Sequence, residues 1–155
     1  MPHIHEKIDF TVDVYVVYKN KVLLRKHDKH KIWLVLGGHI ELDEDPVQAA
    51  IREVKEEVGL DVEIMGNPCS GAEAEENNKE LIPPKFLNMH SITDTHEHIS
   101  FVYFSLSKTD KIVQQEKEIS EECRWVTKEE LEDPSLNLKP HVKRYAELAL
   151  KELAK

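Results

Sequence analysis

The sequence predicts an α/β or α+β sandwich, and three observations support this class. Strand-like segments lie on both sides of one amphipathic helix, a second amphipathic helix ends the chain, and neither a repeat nor a linker divides it. The length of 155 residues suits one domain with a substantial core. We therefore predict a single domain over residues 1–155.

The predicted strands are segments rich in β-branched and aromatic residues. Residues 10–17 (FTVDVYVV) lead through a polar turn into residues 22–25, which is the pattern of a hairpin. The apolar run at residues 32–36 predicts a buried strand that ends at Gly37 and Gly38. Shorter strands are expected at residues 61–65, 86–92, 99–106 and 124–126, and an irregular surface loop at residues 67–84.

The central helix carries its own start and stop signals. Asp45 can cap the first backbone N–H groups, Pro46 suits the first helical position, and Gln48 completes a capping box. Gly59 supplies the left-handed conformation that ends a helix. The predicted buried stripe consists of Val47, Ala50, Ile51, Val54 and Val58.

The C-terminal part predicts a short helical turn and a longer helix. Thr127 is placed to cap a turn at residues 128–131, and a final helix fits residues 140–153. The apolar stripe of that helix consists of Val142, Tyr145, Leu148, Ala149 and Leu153.

Three glutamates of the central helix carry the main chemical signal. Glu53, Glu56 and Glu57 lie three and four residues apart, so their carboxylates crowd together and repel one another. An oxygen-liganded divalent cation turns this repulsion into coordination, and Arg52 can hold the carboxylate of Glu56 in place. The alternative is a solvated acidic helix face, which the wider motif makes less attractive.

That motif begins at Gly38, continues with Glu44, and ends in the run REVKEEVGL at residues 52–60. It resembles the Nudix box, the defining motif of the Nudix hydrolases, at every fixed position and at the apolar sites Val54 and Leu60. The resemblance implies an α/β/α sandwich around a mixed β-sheet. It also implies hydrolysis of a nucleoside diphosphate linked to another moiety, with Mg²⁺ or Mn²⁺ as cofactor.

The resemblance further implies roles for individual residues of the motif. Glu53, Glu56 and Glu57 would be the metal-binding carboxylates, and a backbone carbonyl of Gly37 or Gly38 could add a ligand because glycine permits close approach. His39 would lie beside the phosphate site.

Other charged residues of the motif receive supporting roles. Arg52 would orient a carboxylate, with Glu44 as a partner, and Glu41 is either a supporting group or a solvated charge. The general base is open between Glu53 and an acid outside the box. The outside candidates are Glu97, Glu116, Glu118 and Glu121.

Two positions depart from the usual family pattern. Leu36 stands where proline often precedes the paired glycines, and Asp43 stands where glycine often precedes the glutamate of the loop. We expect an altered loop shape with activity retained, and both departures weaken any transfer of a particular subfamily's substrate preference.

Composition and charge restrict the classes of partner. The net charge of −9 disfavours binding to a nucleic-acid polymer, whereas a bound cation would reverse the repulsion of a small phosphate substrate. No apolar run approaches the ~20 residues of a membrane span and no secretory signal opens the chain, so we expect a cytoplasmic location. The sequence has no Cys/His set at metal-ligand spacing, so it does not predict a zinc site. A homodimer is compatible with the resemblance.

Two rival functions remain from the sequence. A Nudix-fold module that binds a nucleotide without turnover would often lose a glutamate of the box, and here all are present. The isomerase branch of the fold, acting on prenyl diphosphates, would need an active cysteine in a distinctive context, which neither Cys69 nor Cys123 has.

Overall fold

In the part of the chain that the structure describes, eight strands form one mixed sheet, and one long helix packs on each face of it. This computed structural model describes residues 7–27, 31–69, 75–114 and 122–155. The three layers confirm the predicted α/β/α sandwich. The strands are β1 (Ile8–Tyr18), β2 (Lys21–His27), β3 (Ile32–Leu34), β4 (Leu36–His39), β5 (Val62–Ile64), β6 (Phe86–Thr93), β7 (His96–Ser107) and β8 (Cys123–Thr127), and the helices are α1 (Pro46–Val58) and α2 (Pro140–Leu153).

Strand β1 is the centre of the sheet. It pairs in parallel with β7 along ten residues, from Ile8 opposite Glu97 to Val17 opposite Leu106. Its other partners, β2 and β4, are antiparallel. The remaining pairings are β2 with β3 and β8, and β7 with β5 and β6. Both the hairpin of β1 with β2 and the short β5 confirm the predicted strands.

The predicted single strand at residues 32–36 is wrong, because the run changes partner at Val35. Strand β3 pairs with β2, whereas β4 pairs with β1. Val35 packs into the core beneath α2, and the next residue, Leu36, packs beneath α1. The change of partner brings Gly37 and Gly38 alongside the central strand, opposite Asp13 and Val12.

Helix α1 begins and ends as predicted. The Asp45 carboxylate accepts from Gln48 N–H at 2.9 Å, the Gln48 side chain accepts from Asp45 N–H at 2.9 Å, and Gly59 has φ 70°. One predicted core residue is wrong, since Ile51 is 40% exposed. The buried face is centred instead on Ala50, Val54 and Val58, flanked by Ala49, Glu53 and Glu57.

Helix α2 covers the opposite face of the sheet. Its residues Val142, Tyr145 and Ala149 are buried as predicted, and Leu148 and Leu153 pack against the same core from its margin. Before it, Thr127 and Glu130 cap each other at the start of a short 3₁₀ turn. Within the described residues, neither helix is long and apolar enough to cross a membrane.

Candidate active site

The paired glycines at the end of the sheet lie against the acidic face of α1. Gly37 N–H donates to Glu57 Oε1 at 3.2 Å, which ties the strand to the helix. A side chain at Gly38 would collide with the Glu53 carboxylate, since a Cβ there would stand 2.3 Å from Oε1. Glycine at position 38 therefore lets the strand backbone pack directly on a carboxylate.

Glu53 and Glu57 form a buried pair of carboxyl groups. Their side chains are in hydrogen-bond contact, and each residue is less than a tenth exposed. Burial raises the pKa of Glu57 to about 8, although the Arg25 guanidinium opposes the shift, and burial also raises the pKa of Glu53. Even with Arg25 and Arg52 beside them, ionising both buried groups costs free energy, and a proton or a bound cation lowers that cost.

The second oxygen of Glu57 leaves room for a further interaction. Oε2 lies 3.2 Å from Arg25 Nη1 as an ion pair, yet this buried atom makes no hydrogen bond with the described residues. Glu56 completes the set from the helix surface, with its side chain 42% exposed. Carboxylate oxygens are the ligands that Mg²⁺ and Mn²⁺ prefer, so the donor set fits the predicted cation.

Arg52 connects the helix to the loop that precedes it. Its Nε and Nη2 donate to both oxygens of Glu44 at 2.9 and 2.7 Å, the contact that the sequence predicted. Its Nη1 donates to Glu53 Oε1 at 3.0 Å and to Glu56 Oε2 at 3.1 Å. Nη2 also donates to the backbone oxygen of His39 at 3.0 Å. One guanidinium therefore fixes two carboxylates of α1 and the backbone of the glycine strand.

Glu44 and Glu41 shape the loop between β4 and α1. Glu44 Oε1 accepts from Glu41 N–H at 2.9 Å, while the Glu41 carboxylate lies 3.8 Å from Arg52. Burial acts to raise the pKa of Glu44, but the hydrogen bond from Arg52, the hydrogen bond from Glu41 N–H and the charge of Arg52 together lower it. Asp43 is not among the described non-glycine residues with positive φ, so this departure from the family pattern creates no strain of that kind.

The structure says less about the general-base candidates outside the Nudix box. Glu97 lies inside β7, opposite Ile8 and Ser91, and not before the strand as we predicted. Because side chains alternate along a strand, it faces away from its neighbours His96 and His98. Its role as general base stays a prediction. Glu116, Glu118 and Glu121 lie outside the described residues.

A cavity of about 660 Å³ opens beside the glycine pair. Its floor is the end of the sheet that α2 leaves uncovered, and its walls come from β2, β4, β6 and the start of α2. Burial raises the pKa of Asp13 in this cavity to about 6 against the effect of a hydrogen bond with Ser100. The polar and charged lining residues include Thr11, Asp13, Arg25, His39, His98 and Ser100.

Sequence reasoning missed a cluster of histidines around a buried aspartate at this end of the sheet. The Asp9 carboxylate Oδ2 lies 3.1 Å from His96 Nε2 and 3.3 Å from His39 Nε2. His98 lies between these rings, 5.0 Å from that of His39 and 5.2 Å from that of His96. Burial and the neighbouring imidazoles lower the pKa of His98 to about 4. Polar alternation at residues 9, 11 and 13 and at 96, 98 and 100 was the available signal.

A larger cavity of about 800 Å³ lies at the other end of β1, beside Tyr18, Lys19 and Leu153. None of the motif residues lines it. Size alone would favour that cavity as the substrate site, but the smaller cavity is the one that adjoins the paired glycines and thus the acidic pair.

The NUDIX domain family matches residues 8–149, which is nearly the whole chain. The chain belongs to the Nudix hydrolase family. A solved structure of a NUDIX-family hydrolase from Clostridium perfringens is similar, with a TM-score of 0.79 and 34% identity over 93% of this chain and 97% of that one. The fold and the enzyme class predicted from the Nudix box are therefore confirmed. Pyrophosphohydrolysis is the general activity of this family.

Curated relatives of this Nudix chain differ in their named substrates. A probable DHNTP pyrophosphohydrolase from Lactococcus lactis is 29% identical over 76% of the chain. An m7GpppN-mRNA hydrolase, NUDT17 from Xenopus laevis, is 28% identical over 79% of the chain. The chain spans 63% and 42% of the lengths of these two relatives.

Proposed function

We propose that this Nudix chain is a nucleotide pyrophosphohydrolase that requires Mg²⁺ or Mn²⁺, with Glu53, Glu56 and Glu57 as the carboxylates that hold the cation. One observation carries the proposal: Glu53 and Glu57 are buried, in contact with each other, and packed against Gly37 and Gly38. Burying two acids in contact costs free energy, and a bound cation offsets that cost.

The residues of the site divide the remaining work. A bound divalent cation supplies neutralisation of the diphosphate charge and a lower pKa for an attacking water. Arg52 holds Glu53, Glu56 and the strand backbone at fixed separations, so it is a positioning residue. Glu53 is the first candidate for the general base, since burial raises its pKa and so makes its carboxylate a stronger base. Glu97 is the alternative.

The substrate that we propose is a small nucleotide derivative. The cavity of about 660 Å³ adjoins the glycine pair and has the size of a small-molecule site. The net charge of −9 opposes extended contact with an RNA backbone, so a capped RNA is the less favoured substrate although one relative is named for it. A cytoplasmic location and a homodimer stay predictions.

A coupled phosphate-release screen tests this proposal, with inorganic pyrophosphatase added for the triphosphates and alkaline phosphatase for ADP-ribose and the nucleotide sugars, because the products are pyrophosphate and phosphate monoesters. We expect one or more of DHNTP, nucleoside triphosphates, ADP-ribose and nucleotide sugars to be hydrolysed in Mg²⁺ or Mn²⁺, and hydrolysis to stop when EDTA is added. Isothermal calorimetry on the same compounds is the companion measurement. Tight nucleotide binding without turnover in either cation would favour the binding module instead.

Gly38→Ala should lower the rate of hydrolysis at least ~10-fold, about 1.4 kcal/mol in the barrier. The new methyl group would stand 2.3 Å from Glu53 Oε1, so the carboxylate must leave its present position. Gly66→Ala controls for general destabilisation, because Gly66 lies outside the motif and has φ 121°, so alanine there strains the backbone and contacts Ile82 without touching Glu53. Equal rates for the Gly38 variant and wild type would show that the position of Glu53 does not matter.

A further inference from the structure

The histidine cluster at the uncovered end of the sheet has the composition of a metal site. One ligand atom from each of Asp9, His39 and His98 lies within 4.8 Å of the others. In a tetrahedral zinc centre, bonds of 2.0–2.2 Å place neighbouring ligand atoms about 3.4 Å apart. Small side-chain rotations close the difference.

Ring positions agree with a shared ion. Two imidazoles on one tetrahedral ion have ring centres about 5 Å apart, given Zn–N bonds of about 2.1 Å. The rings of His39 and His98 are 5.0 Å apart, with an angle of 80° between their planes. The imidazoles of His39 and His98 both lie near the carboxylate of Asp9, and Asp9 is only 2% exposed.

The backbone holds the three residues on a rigid support. Asp9 and His98 are direct partners in the parallel pairing of β1 with β7, and His39 lies opposite Thr11 in the pairing of β1 with β4. His96 Nε2 contacts Asp9 Oδ2 at 3.1 Å and can orient the carboxylate as groups around metal ligands commonly do. Sites on paired strands keep their geometry better than sites on loops.

We propose that Asp9, His39 and His98 bind a divalent transition-metal ion of the zinc type, at a site separate from the carboxylates of Glu53, Glu56 and Glu57. Two imidazoles and one carboxylate are the ligands of Zn²⁺ and its neighbours in the first transition row, whereas Mg²⁺ prefers oxygen alone. The site borders the cavity beside the glycine pair, because His39 and His98 line that cavity.

His39 joins this site to the Nudix box. Its imidazole contacts Asp9, while its backbone oxygen accepts from Arg52 at 3.0 Å. An ion on the imidazole therefore restrains the strand that carries Gly37 and Gly38. Binding of this ion is independent of which substrate the enzyme cleaves.

Metal titration of tag-free, chelator-treated protein tests the proposal. With Mg²⁺ in excess, we expect wild type to bind one equivalent of Zn²⁺ by calorimetry, and Co²⁺ to give the visible absorption bands of a tetrahedral nitrogen- and oxygen-liganded ion. His98→Asn should weaken the Kd for Zn²⁺ at least ~100-fold, because it removes a ligand and not merely a supporting group. Asp9→Asn should do the same, and circular dichroism checks that each variant is folded.

Three controls make the result specific. His141→Asn, which changes a histidine of the same cavity outside the triad, should bind Zn²⁺ as wild type does. Glu57→Gln should also retain Zn²⁺, which separates this site from the proposed hydrolytic one. The double change His3→Asn and His5→Asn tests chelation by the N-terminal segment. Unchanged Zn²⁺ affinity in His98→Asn, or an equal loss in His141→Asn or in the N-terminal double variant, would overturn the proposal.

Discussion

Replacing Glu57 with glutamine should lower the rate of diphosphate hydrolysis at least ~100-fold, which is about 2.7 kcal/mol in the barrier. Glutamine keeps the size of the side chain and an oxygen that can accept from Gly37 N–H, so the tie between strand and helix survives. The negative charge needed to hold the cation is lost, and with it the stabilisation of charge on the phosphate. The measurement is kcat at saturating Mg²⁺ on the best substrate of the screen.

Glu63→Gln is the matched control for that experiment. Glu63 is an exposed residue of β5, so the same chemical change there should leave kcat within about twofold. Raising Mn²⁺ should recover part of the activity of the Glu57 variant if the defect is in cation binding. Wild-type kcat in the Glu57 variant would mean that the ligand assignment is wrong.

Metal-free protein should lose stability as the pH rises from about 6.5 to about 8, because folded Glu57 gives up its proton in this range, whereas His98, whose pKa is lowered from 6.5 to about 4, opposes the loss only at lower pH. The pKa of Glu57 is raised on folding, from 4.5 to about 8, so the unfolded chain releases this proton at lower pH than the folded one. The contribution of Glu57 to the free energy of unfolding is fully present below pH 4.5 and is lost as the pH rises through about 8. Its size is on the order of a few kcal/mol, since each pKa unit is worth about 1.4 kcal/mol.

Urea unfolding in EDTA at several pH values measures this effect. In Glu57→Gln, the free energy of unfolding should change much less with pH than in wild type. In Glu56→Gln, whose carboxylate is 42% exposed, it should change with pH as in wild type. Saturating Mg²⁺ should restore most of the lost stability of wild type at pH 8, because the cation binds the ionised folded form. Identical slopes in wild type and the Glu57 variant would contradict the assignment of the buried acid pair.

The parts of the site that the sequence predicted are those whose signals are local. Asp45, Gln48 and Gly59 act on backbone groups within a few residues, so the bounds of α1 follow from the chain itself. The contact between Arg52 and Glu44 spans eight residues and was also predictable, because the Nudix box relates the loop to the helix.

The parts that were missed depend on pairing between distant strands. Hydropathy could not show that Val35 marks a change of partner, since both halves of the run are apolar. Asp9, His39 and His98 come together only because β4 and β7 both pair with β1. Ile51 was misplaced because glutamates occupy buried positions that an apolar stripe would assign to hydrophobic residues.

The parallel pairing of β1 with β7 has a consequence for how the chain reaches this structure. Each pair joins residues 89 positions apart, as in the contact of Thr11 with Ser100. Strands β1 and β7 cannot pair until most of the polypeptide is available. Closing this loop costs conformational entropy before any of the hydrogen bonds between the two strands form. We therefore expect refolding on the millisecond-to-second scale of topologies dominated by long-range contacts, with β7 joining the sheet in the rate-limiting step.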